Sequence, residues 1–252
     1  MALGSNKCSF TVPDKRTGPP MDAPPSRLQG TVVSTVIEGR PIRFFVADPK
    51  DHIQSHHMKG EFYEREELAI IQKYCPTDAH IMDIGANIGN HAIFFDKFLA
   101  PRSVRVIEVN PLAIAVLRLN IALNECRSVD LAWLGRGIAR ERGRLSLVQF
   151  QADNWGGAQF APAPDGKFDA LPGDALATGL PVGFLKIDVE RMELDVLAGL
   201  EQTIATWRPP MFIEIADPQS AGFAAWMSAQ NYTVAVRSQR YPGVINYMAV
   251  PA

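Results

Sequence analysis

The chain has 252 residues, of which 47% are hydrophobic and 21% charged, and its formal net charge at pH 7 is −2. This size and composition predict an ordinary globular protein with one large domain or two small ones, and the small net charge argues against a nucleic-acid partner. No apolar run approaches the roughly 20 residues that span a bilayer, and the three cysteines (Cys8, Cys75 and Cys126) share no metal-ligand spacing, so we expect no membrane partner, no disulfide framework and a cytoplasmic location.

The first 75 residues divide into two parts. Residues 1–30 hold five prolines and little apolar periodicity, which predicts a flexible tail. From Thr31 the apolar residues alternate, a Glu38-Gly39-Arg40 turn follows, and a second alternating run reaches Val46, which predicts a hairpin. Helical spacing follows up to Tyr74, so we expect residues 31–75 to form a hairpin and helical cap.

Two features of this cap allow more than one interpretation. His52 and His56 lie four residues apart, as a metal pair on one helical face would, but no nearby cysteine or acid completes a ligand set, so a polar surface is favoured. Phe62 and Tyr63 could cover a cofactor or belong to the core.

The most informative stretch runs from Ile81 to His91. An apolar strand ends at Ile84, Gly85 and Gly89 frame a tight turn, and an amphipathic helix follows to Leu99. Glycines let the backbone approach a ligand closely while the first helical N–H groups remain free to donate. An α/β fold binds a nucleotide at such a turn.

The chemistry of this turn favours S-adenosylmethionine over a dinucleotide. Asp83 lies at the turn and the third glycine of the dinucleotide fingerprint is missing. A carboxylate repels a pyrophosphate but suits an ammonium or sulfonium group. Twenty-five residues on, a second apolar strand ends in Glu108, about where an acid that binds ribose hydroxyls is expected.

The following elements predict the fold class. Pro111 opens a helix, a strand runs from Val129 to Leu134, and a further strand begins at Arg144. This alternation predicts a doubly wound (Rossmann-like), mostly parallel sheet, with ligands at the carboxyl ends of its strands. The glycines after Asn154 and Trp155 mark either an active-site loop or a structural turn, and residues 161–181 resemble a surface connection.

Three more acids are expected at that same edge of the sheet. A buried strand from Val182 ends at Asp188 and Glu190, and after a helix another strand ends at Glu214. Helix capping is an alternative for Glu190, but for Asp188 and Glu214 a functional role is favoured.

The chain closes with two more strands, 232–236 and 244–250, which predict an antiparallel hairpin at the sheet edge. A parallel nucleotide-binding sheet with such a hairpin is the class I methyltransferase variant of the doubly wound fold. We therefore expect residues 76–252 to form the domain that binds S-adenosylmethionine.

From about Gly60 to its end the chain resembles the FkbM family of S-adenosylmethionine-dependent methyltransferases. The resemblance rests on the Asp83–His91 turn, the Ile107–Pro111 stretch, the Leu185–Glu190 stretch with Glu193 and Leu197, and the closing 246–251. It implies O-methylation of a hydroxyl on a small-molecule natural product or sugar. The cofactor residues that it implies are Asp83, Gly85, Ala86, Asn87, Gly89, Asn90, Glu108, Val109 and Asp188.

The chain departs from the family pattern at two positions. Arg191 stands where family members usually carry glycine, and Val109 replaces a common proline. Arg191 leaves the local backbone approach in question, and it keeps open the alternative of a module that binds the cofactor without chemistry. A nicotinamide-dependent oxidoreductase is the other alternative, against which the missing glycine and the terminal hairpin argue.

A hydroxyl is a poor nucleophile at neutral pH, so methyl transfer needs a base or a metal. The candidate catalytic residues are Asp188, Glu190, Glu214 and His91. A carboxylate or His91 could accept the proton directly, or Mg²⁺ held by Asp188 and Glu214, with an amide such as that of Asn154, could acidify the hydroxyl. Both alternatives stay open, as does the oligomeric state.

Overall fold

The structure is a computed structural model that describes residues 4–11 and 27–252. The strands are β1 Gly4–Thr11, β2 Arg27–Ile37, β3 Arg40–Val46, β4 His80–Ile84, β5 Ser103–Ile107, β6 Val129–Asp130, β7 Arg136–Ala139, β8 Gly143–Gln151, β9 Asn154–Pro162, β10 Phe168–Pro172, β11 Val182–Ile187, β12 Met211–Ala216, β13 Tyr232–Ser238 and β14 Val244–Pro251. The helices are α1 Gln54–Met58, α2 Arg65–Tyr74, α3 Asn90–Phe94, α4 Pro111–Leu123, α5 Gly173–Ala177, α6 Glu193–Gly199, α7 Glu201–Trp207 and α8 Ser220–Gln230. A π-helical turn, Phe95–Leu99, continues α3, and a 3₁₀ turn, Asp217–Gln219, precedes α8.

A seven-stranded sheet forms the centre, in the order β13-β14-β12-β11-β4-β5-β6. The five strands from β12 to β6 are parallel, and β14 runs antiparallel to both β12 and β13. The doubly wound α/β fold with a terminal antiparallel hairpin is therefore confirmed. Side chains alternate across this sheet, because Ile81 of β4 joins the hydrophobic cluster on one face while Met82 joins the cluster on the other.

The N-terminal hairpin of β2 and β3 forms as the alternation predicts. Its two-residue turn places Glu38 and Gly39 at φ 47° and 78°, which is the left-handed geometry that a tight hairpin needs. The prediction of a flexible tail over residues 1–30 is wrong for β1, which pairs antiparallel along β2. Backbone pairing to a neighbouring strand stabilises a segment whose own composition is a poor strand signal. Residues 1–3 and 12–26 lie outside the described part of the chain.

This hairpin packs on α4, the helix that follows β5 of the main sheet. The Phe45 N–H donates to Asn120 Oδ1 at 2.7 Å, and the Arg43 N–H donates to Asn124 Oδ1 at 2.9 Å. Ile42 and Phe44 belong to the same hydrophobic cluster as the strands of the main sheet. The cap thus shares its core with the rest of the protein, and a domain boundary at residue 75 stays a prediction.

The sequence did not predict a second sheet, of order β7-β10-β8-β9. Asn154 and Trp155 begin strand β9 instead of lying in a loop, and the expected surface connection over residues 161–181 contains β10 and α5. Leu145, Phe160 and Ala170 form the core that compensates for the weak strand propensity of these segments. The strand predicted from Val129 to Leu134 ends at Asp130, and α8 was not predicted.

None of the helices within residues 4–11 and 27–252 is long and apolar enough to cross a membrane.

Candidate cofactor and acceptor site

The turn between β4 and α3 requires glycine at two positions. Gly85 and Gly89 have φ 80° and 87°, a region that L-residues rarely adopt. A Cβ atom on Gly85 would lie 1.7 Å from the Asp188 carbonyl oxygen, so the turn packs directly against the end of β11. The glycines therefore bring two loops together at the carboxyl edge of the sheet.

A cavity lies over this turn, and we call it the turn cavity. Five of the predicted cofactor residues line it: Gly85, Asn87, Glu108, Val109 and Asp188. Much of the apolar part of its wall comes from residues that the sequence did not single out, namely Ile138, Leu145, Ala158, Phe160 and Met192. One part of the cavity is thus polar and another suits a flat apolar group such as a nucleobase.

Glu108 anchors the polar part. Its carboxylate accepts N–H bonds from Asn87, Val109 and Asn110, each at 2.7 Å. Burial raises the pKa of this carboxyl above its usual value, and these three bonds lower it. A carboxylate has about four lone-pair sites, so roughly one remains for a ligand hydroxyl.

Four predicted cofactor residues do not line the turn cavity: Asp83, Ala86, Gly89 and Asn90. Asp83 is fully buried within β4, behind the turn rather than at its edge. Asn90 faces the N-terminal segment, where its Oδ1 accepts the Tyr63 N–H at 3.0 Å and its Nδ2 donates to the Tyr63 carbonyl at 3.1 Å. Asn90 therefore holds another part of the site instead of lining the cavity.

Lys186, which was not among the predicted site residues, explains the burial of Asp83. Its ammonium is 3.7 Å from Asp83 Oδ1 and donates to the Gly85 carbonyl at 3.0 Å and to Asp188 Oδ2 at 3.2 Å. Burial raises the pKa of Asp83 to about 6 even though the nearby ammonium lowers it. The sequence did contain a signal for this ion pair, because a lysine within an apolar strand such as β11 needs an acidic partner when it is buried.

A second opening, the acid cleft, adjoins the turn cavity and is lined by Asp188, Glu190, Glu214 and Glu64. Oxygen atoms of Asp188, Glu190 and Glu214 lie within 4.8 Å of one another. The sequence thus placed these three acids together correctly. Burial, and then repulsion from Asp188, raises the pKa of both Glu190 and Glu214 well above the usual range.

His91 does not reach either opening. It is buried on α3 with Nε2 3.6 Å from Glu64 Oε2, and burial holds the pKa of its imidazole well below the usual value. A direct catalytic role for His91 is therefore not supported by its position. Glu64 lines the cleft in its place, and the sequence signal for it was only its loop after Phe62 and Tyr63.

His52, of the predicted histidine pair, makes hydrogen bonds to phenol groups. His52 Nε2 lies 3.2 Å from the Tyr63 hydroxyl and 2.9 Å from the Tyr241 hydroxyl, and all three side chains line the acid cleft. Within the described residues, the grouping of side chains that could hold a metal contains no histidine.

Strand β9 forms part of the wall of both openings, because Trp155 lines the turn cavity and Asn154 lines the acid cleft.

Arg191 adopts the backbone conformation that favours glycine. Its φ is 79°, and its N–H donates to Glu193 Oε1 at 3.1 Å while its carbonyl accepts from Gln219 Nε2 at 2.9 Å. These bonds keep a non-glycine residue in a strained region at a cost of about 1–2 kcal/mol. The departure from the family pattern therefore leaves the local backbone in its left-handed form.

Replacing Arg191 with glycine is expected to raise the free energy of unfolding by up to about 1 kcal/mol. The relief of strain exceeds the entropy that glycine adds to the unfolded chain. Thermal unfolding should show a melting temperature about 2–4 °C higher per kcal/mol gained. Arg142→Gly is the matched control, because Arg142 is also exposed but has no positive φ. A variant at 191 that melts no higher than the Arg142 control would contradict the strain.

A family model described as "Methyltransferase FkbM domain" matches residues 83–238, more than half of the chain. The methyltransferase FkbM from Methylobacillus flagellatus KT is 14% identical, with a TM-score of 0.48 over 78% of this chain and 52% of that one. The B. subtilis M1A22 tRNA methyltransferase TrmK is 9% identical, with a TM-score of 0.51 over 76% and 68%. M. jannaschii TYW2 in complex with AdoMet is 13% identical, with a TM-score of 0.46 over 88% and 87%. Among curated proteins no match was found.

Proposed function

The chain belongs to the FkbM family of methyltransferases, and from that premise we propose that it transfers the methyl group of S-adenosylmethionine to a hydroxyl of a small-molecule natural product or sugar. The observation that carries the proposal is the junction of the two openings. Asn87, Gly156, Asp188 and Glu190 line both the turn cavity and the acid cleft. A cofactor in the first would present its methyl group to an acceptor in the second.

The donor fits the turn cavity in charge and shape. Glu108 would hold ribose hydroxyls, the apolar wall would cover the adenine, and Asp188 would attract the cationic end of the molecule. The sulfonium loses its charge as the methyl leaves, so the main task of the protein is alignment in a dry pocket.

The acceptor is proposed to be a small molecule rather than a nucleic acid. The acid cleft has five acidic residues in its lining, because Asp153 adds to the four named above, and no lysine or arginine is among its lining residues in the described chain. Such a lining offers phosphate groups no cation to bind, whereas carboxyl groups form hydrogen bonds with hydroxyls. We further propose a cytoplasmic location, to which the free thiols of Cys75 and Cys126 are suited.

The hydroxyl could be activated in two ways. A carboxylate of the cleft could accept its proton, or Asp188, Glu190 and Glu214 could hold Mg²⁺, for which an all-oxygen donor set with atoms within 4.8 Å is suitable. Mg²⁺ would supply Lewis acidity that lowers the hydroxyl pKa. Activity that survives a chelator unchanged would exclude the ion.

The proposed reaction is tested with S-adenosylmethionine that carries a labelled methyl group. The purified protein is incubated with the small-molecule fraction of a cell extract and, separately, with total RNA from the same extract. We expect label in the small-molecule fraction and in a product that resists the mild base that cleaves methyl esters. Label confined to RNA would overturn the acceptor class, and label in neither fraction would overturn the proposed activity.

Replacing Asp188 with asparagine should slow methyl transfer by about 10²-fold while S-adenosylhomocysteine still binds. Asparagine keeps the size of the side chain but loses the charge at the junction of the two openings. Initial rates with the labelled donor measure the first effect and calorimetry the second. Asp195→Asn, in an exposed ion pair on α6, is the control, and an Asp188 variant as fast as this control would remove Asp188 from the mechanism.

A further inference from the structure

Glu64 brings a carboxylate to the acid cleft from the N-terminal segment, whereas Asp188, Glu190 and Glu214 come from the ends of the sheet strands. It immediately precedes α2, and its side chain is 11% exposed. This carboxylate is therefore largely removed from bulk water but open to a molecule in the cleft.

The backbone around Glu64 is held in one position. Its φ and ψ are 58° and 46°, a left-handed conformation that costs a non-glycine residue about 1–2 kcal/mol. Asn90 of α3 binds both the N–H and the carbonyl of the preceding Tyr63, and the Leu68 N–H donates to the Glu64 carbonyl at 2.9 Å. The helix that follows the glycine turn thus fixes Glu64 relative to the turn cavity.

The surroundings of the side chain leave it free to bind a proton. Asp188 contacts the Lys186 ammonium at 3.2 Å, whereas the Glu64 carboxylate lies 3.6 Å from Nε2 of His91, whose buried imidazole is neutral. The Glu64 carboxylate therefore lies beside a neutral imidazole and not beside an ammonium that would hold it in its charged form.

The other titratable and charged groups near Glu64 come from several elements. Lys186 lies on β11 and Asp188 just after it, Glu67 lies on α2, Glu214 on β12, and Arg240 between β13 and β14. Burial, followed by repulsion from Asp188, raises the pKa of Glu64 to about 7, against the opposing effects of Lys186 and Arg240. A base with a pKa near the working pH is the most effective.

We propose that Glu64 is the catalytic residue that accepts the hydroxyl proton during methyl transfer, an inference that rests on the proposed function. In this step the acceptor oxygen forms a bond to the methyl carbon as the carbon–sulfur bond breaks. The electron pair of that bond goes to sulfur and leaves a neutral thioether. The hydroxyl proton moves to the Glu64 carboxylate, which becomes a carboxylic acid and later releases the proton to water.

The first test compares Glu64→Gln with Glu66→Gln, a matched change at an exposed position in the first turn of α2. Both variants and the parent are supplied with labelled S-adenosylmethionine and the small-molecule extract. We expect Glu64→Gln to bind S-adenosylhomocysteine within about threefold of the parent but to transfer methyl at least 10²-fold more slowly. Glu66→Gln should match the parent. Transfer by Glu64→Gln within fivefold of the parent would overturn the proposal.

The second test needs no acceptor. Protein labelled with ¹³C at the glutamate carboxyl carbons is titrated by NMR, and the resonance missing from Glu64→Gln is assigned to Glu64. A midpoint near 7 supports the proposal, and a midpoint near the ordinary value of 4.5 overturns it. If the parent binds S-adenosylhomocysteine yet labels nothing, the proposed function fails while this titration still decides whether Glu64 is a base at neutral pH.

Discussion

Gly85→Ala is expected to lower the free energy of unfolding by about 4 kcal/mol or more and to abolish cofactor binding. The added Cβ would lie 1.7 Å from the Asp188 carbonyl oxygen, and backbone cannot move aside as a flexible side chain can. The φ of 80° adds a conformational penalty of about 1 kcal/mol. This overlap is relieved only if β11 and the turn move apart, which would widen the floor of the turn cavity.

Gly39→Ala separates the two causes of the stability loss in Gly85→Ala, which are the overlap with Asp188 and the unfavourable φ. Gly39 has a similar φ of 78°, but a Cβ there would meet nothing within 4 Å. We therefore expect Gly39→Ala to cost only about 1 kcal/mol. Urea unfolding of both variants measures the difference, which is the cost of the overlap with Asp188. Equal losses in the two variants would mean that the turn and β11 are not packed as closely as the structure has them.

Lys186→Met is expected to lower the free energy of unfolding by about 3–5 kcal/mol at pH 8. The substitution leaves Asp83 fully buried without a countercharge, and the loss of one partner of a buried ion pair is costly. Arg102→Met is the control, because Arg102 forms an exposed ion pair with Asp78 that should contribute no more than about 1 kcal/mol.

The loss at Lys186 should be smaller at pH 5 than at pH 8. The pKa of Asp83 is about 6 in the folded protein against an ordinary value of 3.8, so the folded state binds more protons between these values. The proton on Asp83 therefore stabilises the folded protein at low pH, and this stabilisation is lost as the pH rises through the pKa of Asp83 in the folded state. Without the ammonium that lowers it, this pKa rises further, and protonation at pH 5 relieves the unpaired charge. A loss that does not change between pH 5 and pH 8 would contradict the pairing.

The parts of the fold that were predicted correctly are those with a strong local signal. Apolar runs bounded by proline or glycine gave β4, β5, β11 and β12, and alternation gave the terminal hairpin. In the second sheet, alternation predicted β8 correctly, but β9 and β10 lacked such a signal, because Gly156, Gly157 and the alanines of these strands are weak strand formers that pairing and a small core hold in place. Tertiary contacts decided those strands.

The sequence predicted which acids lie near one another where these acids follow the strands of one parallel sheet. Glu108, Asp188 and Glu214 lie along one edge of the sheet because parallel strands bring their carboxyl ends there, and Asp188 lines both openings while Glu108 and Glu214 line one each. Asp83 was misplaced because its position at the end of β4 suggested exposure, while Lys186 on the neighbouring strand holds it inside. Glu64 was missed because contact between α3 and the segment before α2 depends on packing between residues far apart in the chain.

In the proposed function, the turn cavity binds the adenosyl cofactor through Glu108. Calorimetry with S-adenosylhomocysteine and with NAD, on the parent protein and on Glu108→Gln, tests it most directly. We expect one molecule of S-adenosylhomocysteine to bind per chain, no heat from NAD, and at least a tenfold weaker affinity in the variant, which is about 1.4 kcal/mol. Binding of NAD in place of S-adenosylhomocysteine, or no heat from either ligand with folded parent protein, would contradict the claim.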